Sequence, residues 1–538
     1  MSLEMPRRSA IKISALAGGG LALGWLVGES AEASDGVVDP AGALLPPGGS
    51  GLVAAQAVSV VMSPFMKLYP DNRMEFVLDR VEMGQGTATS QAMLLCEELD
   101  FPFEGISVLH ATAHKDYKNT KFGSQMTGGS TSVVEGHEKL RTAGAQVRER
   151  LRLAAASGWK KPVDDVIASQ GKLSLRSDPR TVATYGDFAS QAAAIEATAV
   201  VLKPWSEHRL IGTSPKRLDG NLKSTGKAVF GIDAAPPGSA VAVLIRPPRV
   251  GLEPGSIDSA AASAIPGVHK VIVAAGGVAV IAERYWQARS AAGLVRITWN
   301  QIPGAQPFSL DTQELRAIHL EAAKNPGKSH RSEGDWANTY RGDVLKVLAD
   351  YEVPYLAHAT MEPQNASCLL REPSAAAVEG LPLVEIWAGS QVPDLAVSEV
   401  AEFLGCKRQD VLFHNTYLGG GFGRRLTADY ILEAIAIAQA ATKVLKGRPL
   451  QLVFSREDDM KHDDFRPMAA VHMLGSLDKN KKLSSFFFRS ASQSILRQYA
   501  PDLVQTMVPG WVPPGVSRLG ASLVSRFAGP AVSLEGAN

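Results

Sequence analysis

The sequence predicts a multi-domain protein of the α/β (α+β) class. Its 538 residues suffice for roughly three to four domains. Short β-like runs alternate with helical stretches along most of the chain. A glycine-polar turn leading into a helix recurs at three places, two of them behind a strand. Hydrophobic residues make up 45%, enough to bury large cores. The net charge is only +1 and the basic residues are scattered, which excludes a nucleic-acid-binding protein.

Arg7-Arg8 precede an apolar run from Ile13 to Val27, and Ala31-Glu32-Ala33 follow as a small-residue cleavage pattern. Residues 1–33 therefore read as an export signal of the twin-arginine type, which predicts a periplasmic protein. The run is short for a membrane span and holds Gly18-Gly19-Gly20; an uncleaved anchor and membrane association are the alternative. Gly42 to Gly51, with Pro46-Pro47 and Gly48-Gly49, reads as a linker.

Within 34–202, Ala57–Met62 and Met74–Val81 are strand candidates. The second runs into Met83-Gly84-Gln85-Gly86-Thr87, and a helix follows from Ser90 to Leu99, with Thr87, Thr89 or Ser90 as its cap. Met126-Thr127-Gly128-Gly129-Ser130 leads to an amphipathic stretch, Val133–Ala156, which Ser132 could cap. Residues 203–300 change texture, with short β runs at Ala240–Ile245, Val268–Ala274 and Val278–Ala282, and read as a separate α/β domain.

Within 301–483, His358 and Glu362 stand four apart and could share a helix face, but no further ligand lies nearby at metal spacing. Cys96, Cys368 and Cys406 are far apart, so neither a disulfide framework nor an iron–sulfur cluster is expected of this chain. A strand at Val384–Trp387 ends in Ser390-Gln391, before a helix at Leu395–Leu404. That is a place from which one amide side chain reaches a ligand.

The richest turn is Leu418-Gly419-Gly420-Gly421-Phe422-Gly423-Arg424-Arg425, between a strand at Asp410–His414 and a helix at Ala428–Lys446. A glycine turn at a helix N-terminus offers backbone N–H groups to an anion, and glycine allows close approach. An ordinary tight turn is the alternative. Three such turns in one chain favour an elongated ligand with several negative charges.

With these motifs the chain resembles the molybdenum-binding subunits of the xanthine dehydrogenase and aldehyde oxidase family. It is most similar to the permuted, isoquinoline 1-oxidoreductase beta type, in which the MGQG and TGGS segments precede the α/β hammerhead domain, here 203–300. The resemblance implies a molybdopterin cofactor with molybdenum, as the cytosine dinucleotide, held without a direct protein ligand to the metal. It implies cofactor contacts from Gly84, Gln85, Gly86, Thr87, Gly128, Gly129, Ser130, Gln391, Gly420, Gly421, Phe422, Gly423 and Arg424. It gives Gln391 and Glu362 catalytic positions, Gln391 beside the metal and Glu362 by the substrate channel. It further implies oxidation of an aldehyde or N-heteroaromatic with water as oxygen source. Electrons would leave through a small iron–sulfur partner subunit, followed by a cytochrome c subunit in some arrangements.

The sequence departs from the family in length. The family's general base is a glutamate in a Gly-x-Gly-Glu segment near the C-terminus, and no such segment occurs here. Residues 484–538 read as the start of a second molybdopterin-binding domain, truncated at Asn538, and Glu535 sits in a different motif. The competing expectation is a non-catalytic remnant that binds cofactor without turnover. A P-loop NTPase lacks its Gly-Lys-Ser/Thr, and a serine hydrolase its Gly-x-Ser-x-Gly elbow. Trp387 and Phe422 could stack on a planar substrate or simply pack.

Overall fold

A computed structural model describes residues 59–495, leaving out 197–198, 306–310, 328, 330, 375, 377–379 and 494. The expected signal at 1–33, the linker at 42–51, the start of the first strand candidate and the stretch beyond 495 with Glu535 lie outside the described residues.

The first body is a four-stranded sheet in the order β1 (Val60–Ser63), β2 (Met66–Leu68), β3 (Met74–Leu78), β4 (Ile106–His110). Helices α1 (Thr87–Leu99) and α2 (Ser132–Trp159) pack on it. Leu95, Leu140, Val147 and Leu151 are fully buried between them, at the helical spacing read from the sequence. The two helices lie so close at Gly144 that an added Cβ would overlap the Leu95 carbonyl. A small antiparallel sheet, β5 (Val166–Ser169), β6 (Lys172–Leu175) and β7 (Val182–Thr184), closes this body.

The second body is built on seven strands drawn from two parts of the chain. Its members are β8 (Ala240–Ile245), β10 (Val268–Ala274), β11 (Gly277–Ala282), β14 (Asn365–Leu370), β15 (Val384–Ala388), β16 (Val411–Asn415) and β17 (Leu450–Val453). Their order is β10-β11-β8-β17-β14-β15-β16. The join is β8 against β17, parallel, with Ala240 opposite Leu450. The expected separate domain at 203–300 therefore shares one sheet with the 365–453 strands. Strand β12 (Arg296–Gln301), paired with β9 (Leu252–Asp258), runs across the expected boundary at 300. Helix α3 (Tyr285–Ala292) covers the β8–β11 end of the sheet.

A third sheet, β13 (Leu345–Val353), β18 (Ala469–Leu477) and β19 (Leu483–Ser492), carries helices α4 (Thr312–Lys324) and α5 (Trp336–Gly342) on one face. The expected boundary at 484 falls inside β19, which pairs along its whole length with β18. Helices α6 (Pro393–Leu404) and α7 (Asp429–Ala440) pack on the seven-stranded sheet.

Candidate functional site

Four turns from distant parts of the chain meet at Thr127. Its hydroxyl accepts from Val81 N at 2.9 Å, just before the MGQG turn. Its N–H donates to Gln391 O at 2.8 Å, and Gln391 Nε2 donates back to Thr127 O at 2.8 Å. Gln391 N in turn donates to Arg425 O at 3.0 Å, which ties in the glycine loop. A Cβ on Gly421 would stand 2.6 Å from both Gln391 Oε1 and Met83 Sδ, so a side chain there would displace the Gln391 amide or Met83. Met126, Val392 and Leu395, with Phe122 and Leu426, form the apolar plug beneath.

Strand β15 delivers Gln391 through a fixed turn. Asn415, at the end of β16, accepts from Ser390 N at 3.0 Å and donates to Ser390 O at 3.2 Å. Ser390 Oγ accepts from Val392 N at the start of α6. Gln391 is buried, and its Oε1 has no hydrogen-bond partner among the described residues.

The glycine loop turns through three positive-φ residues, Gly420 (102°), Phe422 (54°) and Gly423 (107°). Phe422 is strained there, since a non-glycine residue seldom adopts this region. The N–H groups of Gly420, Gly421, Phe422 and Gly423 donate to no other described residue. The loop does not lead straight into a helix. A single turn at Arg424–Leu426 intervenes, and α7 begins at Asp429. Asp429 lies in the first turn of that helix, and Arg424 holds it through two bonds of 2.8 and 2.7 Å. Arg424 is buried, bonded also to Thr427 and paired with Asp463. Both terminal nitrogens of its guanidinium, expected as a cofactor contact, are engaged by Asp429 and Thr427.

Glu362 is likewise committed. It lies in no helix with His358. One oxygen accepts from Ile232 N and Asn365 Nδ2, both at 2.9 Å. The other accepts from Gly419 N at 2.8 Å and from Arg425 Nη2 at 3.1 Å. Arg425, fully buried, also donates to Gly389 O and Glu362 O. The carboxylate expected to face a substrate channel is thus the clamp between the 362 segment and the loop.

The other two glycine turns differ from each other. At MGQG three donors are already taken: Glu82 accepts from Gly84 N, Gly86 N and Ala88 N, and pairs with Arg217. The helix starts at Thr87 behind Gly86, so no threonine or serine caps it. Gln85 folds back, accepting from Met83 N and donating to Val81 O. Gly84 and Gly86 therefore lie at the site with their N–H groups taken, while the N–H of Gln85 donates to no described residue and Thr87 Oγ1 is buried and unpartnered among the described residues. His110 beside Glu82 is pushed down to about 4 by burial. At TGGS, Gly129 and Ser130 take φ of 59° and 54°. Helix α2 starts at Ser132 behind Thr131, whose hydroxyl turns to Gly128 O rather than capping. The only acid of its first turn, Glu135, is spent on Arg80 and Lys139. This helix start keeps its N–H groups free of side-chain caps.

Trp387 is buried and stacks on His414, with ring centroids 5.0 Å apart, so it packs; Phe422 is 74% exposed.

Two family models described as "Molybdopterin cofactor-binding domain" match the chain, over residues 318–494 and 50–225. The chain is 28% identical to isoquinoline 1-oxidoreductase subunit beta of Brevundimonas diminuta over 85% of its own length. It is 28% identical over 79% of its length to a membrane-bound aldehyde dehydrogenase [pyrroloquinoline-quinone] of Gluconacetobacter polyoxogenes. The chain spans 62% and 54% of the length of these two relatives. A solved quinoline 2-oxidoreductase from Pseudomonas putida 86 overlays 52% of this chain and 39% of its own, at 17% identity and TM-score 0.38. The chain carries two molybdopterin cofactor-binding domains.

The two matched segments of this molybdopterin-binding chain carry the turns that meet at Thr127: MGQG and TGGS in one, Ser390-Gln391 and the glycine loop in the other. The residues present fit such a group. The orphaned Gln391 Oε1, the four unpartnered loop N–H groups and the uncapped start of α2 are polar positions that a pterin, an oxygen ligand and a phosphate would satisfy. Sequence reasoning missed Glu82, Arg425 and the role of Thr127. Arg425 beside Arg424 in a glycine loop was the available signal, because paired arginines there need buried acids. Nothing local marks Glu82 as the occupant of the α1 terminus.

Proposed function

We propose that this chain is the molybdopterin-binding subunit of a hydroxylase that oxidises an aldehyde or an N-heteroaromatic, with water as oxygen source. The observation that carries this reading is the junction at Thr127, which brings four motif turns together with unpartnered donors at three of them. When bound, the cofactor supplies the two-electron oxidation chemistry. The chain's own residues do the placing. Gly421 leaves the space beside Gln391 and Met83, the Gln391 amide is held by Thr127, and the Glu362–Arg425 clamp fixes the loop. The start of α2 at Gly129-Ser130 is the seat we assign to a phosphate of a cytosine dinucleotide form. Electrons pass to an iron–sulfur partner subunit and on to a cytochrome c; the Arg7-Arg8 segment supports twin-arginine export to the periplasm, with membrane association as a variant.

A second reading, cofactor binding without turnover, is favoured by one observation: Glu362 is saturated by four donors and cannot act as a free base. Both readings are tested by co-expressing the chain with an iron–sulfur subunit and measuring molybdenum, released nucleotide and dye-linked oxidation of aldehydes and N-heterocycles. Near-stoichiometric molybdenum with oxidation supports the first, and molybdenum without oxidation the second. A folded complex without molybdenum sinks both.

A further inference from the structure

The stretch that leads from the first body to the seven-stranded sheet sends one side chain back into a motif turn. Arg217 Nη1 donates to Gly84 O at 2.8 Å, and Nη2 donates to Glu82 Oε1 at 2.9 Å. The same guanidinium grips both oxygens of Asp219, Nε at 2.9 Å and Nη2 at 2.8 Å. A planar fork held on two sides has a fixed orientation. Asp219 is buried and is held a second time by Lys223 at 2.6 Å. Burial would raise the Asp219 carboxyl, but Arg217 and Lys223 outweigh it and bring it down to about 2. The anchor of the fork is therefore ionised at neutral pH. The next residue adds a backbone tie, Leu218 N donating to Thr89 Oγ1 of α1.

Glu82 and Gly84 belong to the turn that presents the free Gln85 N–H. Glu82 collects the N–H groups on either side of it, and the Gln85 side chain is folded onto Met83 N and Val81 O. Gly84 and Gly86, at φ of 108° and 85°, give this turn little stiffness of its own. Arg217 supplies it, holding a carbonyl of the turn and the carboxylate that organises it. The same stretch then reaches the other half of the site. Lys223 Nζ stands 5.0 Å over the Tyr417 ring, and Phe230 pairs with Tyr417 in a parallel bridge. Tyr417 directly precedes the glycine loop, and Ile232 N donates to Glu362 behind it. Residues 217–232 thus run from the MGQG turn to the glycine loop, with Arg217 at the MGQG end.

We propose that Arg217 is a positioning residue of this site. Acting through Glu82 and Gly84, it fixes the Gln85 N–H relative to the glycine loop, so that one ligand engages both. The side chain is 40% exposed and stands outside the apolar cores, and the Asp219–Lys223 pair persists without it. Its removal therefore loosens the turn and leaves the fold in place. Lysine does not replace it, because one ammonium cannot reproduce the fork that spans a carbonyl and two carboxylates. The inference rests on the cofactor reading of the MGQG turn.

Its test has two arms. In the cofactor-free full chain, hydrogen exchange is read by mass spectrometry on the peptide holding residues 83–88. R217A and R217K should exchange there about tenfold faster, at unchanged melting temperature and unchanged exchange in α2. In the complex with an iron–sulfur subunit, both variants should lose most of their molybdenum. The molybdenum that remains in reduced R217K should give an electron paramagnetic resonance spectrum of altered shape. A merely structural role would reduce the amount of signal and leave its shape alone. If R217A does not fold, R217K decides. Unaltered exchange at 83–88, faster exchange throughout the chain with a lower melting temperature, or a spectrum of wild-type shape overturns this inference alone. A wild-type complex without molybdenum overturns the cofactor reading and this one together.

Discussion

Glu362 shows how a single side chain can look catalytic and be structural. Four donors converge on its two oxygens, one of them the fully buried Arg425. Replacing the carboxylate with an amide turns one acceptor into a donor facing N–H groups, and leaves a buried guanidinium uncompensated. Breaking a buried pair from one side costs about 3–5 kcal/mol. E362Q should therefore lower the free energy of unfolding by about that much, read as a lower urea midpoint at unchanged slope, with cofactor content falling in parallel. An E362Q protein of wild-type stability that binds cofactor but loses turnover would return Glu362 to a catalytic role. Gln391 differs, since one amide end is fixed and the other has no partner among the described residues. Commitment of hydrogen-bonding capacity, rather than residue type, separates the two.

At the scale of elements, α1 and α2 cross where Gly144 meets the Leu95 carbonyl. Alanine is the better helix former by about 1 kcal/mol. Overpacking costs about 1–3 kcal/mol, and the obstacle here is a backbone oxygen that cannot swing aside. The clash wins, so G144A should lower thermal stability, whereas an exposed glycine-to-alanine change in a helix would raise it; a calorimetric melting temperature at or above wild type would refute the close crossing. The same elements mark what the sequence disclosed. Periodicity located α2 and α6 to within a few residues, and the β-branched runs at Ala240–Ile245 and Val268–Ala274 became strands over those ranges. The helix starts were less legible. Thr87, Thr89 and Ser90 are good local caps, yet Glu82 takes the Ala88 N–H of α1 together with those of Gly84 and Gly86, because the turn folds back on itself. Strand neighbours were not legible either. The β8–β17 pairing joins residues some two hundred apart, and nothing in a period-two pattern names a partner. The four motif turns could be read one by one, but their meeting at Thr127 is a product of that long-range order.

At the scale of the whole molecule, the site lies where a turn of the first body meets the turns that follow β15 and β16, and the third sheet is separate from both. That sheet has two unlike faces. Trp336 stacks on Phe487 at 4.6 Å, so α5 covers the face to which Phe487 belongs. On the other face the register sets Val347, Gly475 and Phe486 in one row, and Ala349, Met473 and Phe488 in the next. Val347 and Phe486 are 55% and 52% exposed, and Leu345 and Tyr351 continue the apolar face along β13. Among the described residues β13 is also an edge strand, with one side of its backbone unpaired. An apolar face beside an open edge promotes association between copies. The purified chain should therefore show concentration-dependent light scattering, and V347K with F486S should reduce it while leaving the far-ultraviolet circular dichroism unchanged. Neither residue belongs to the four turns at Thr127, so the double variant should bind cofactor as the wild type does. Scattering that is independent of concentration, or unaffected by both substitutions, would place the adhesive surface elsewhere.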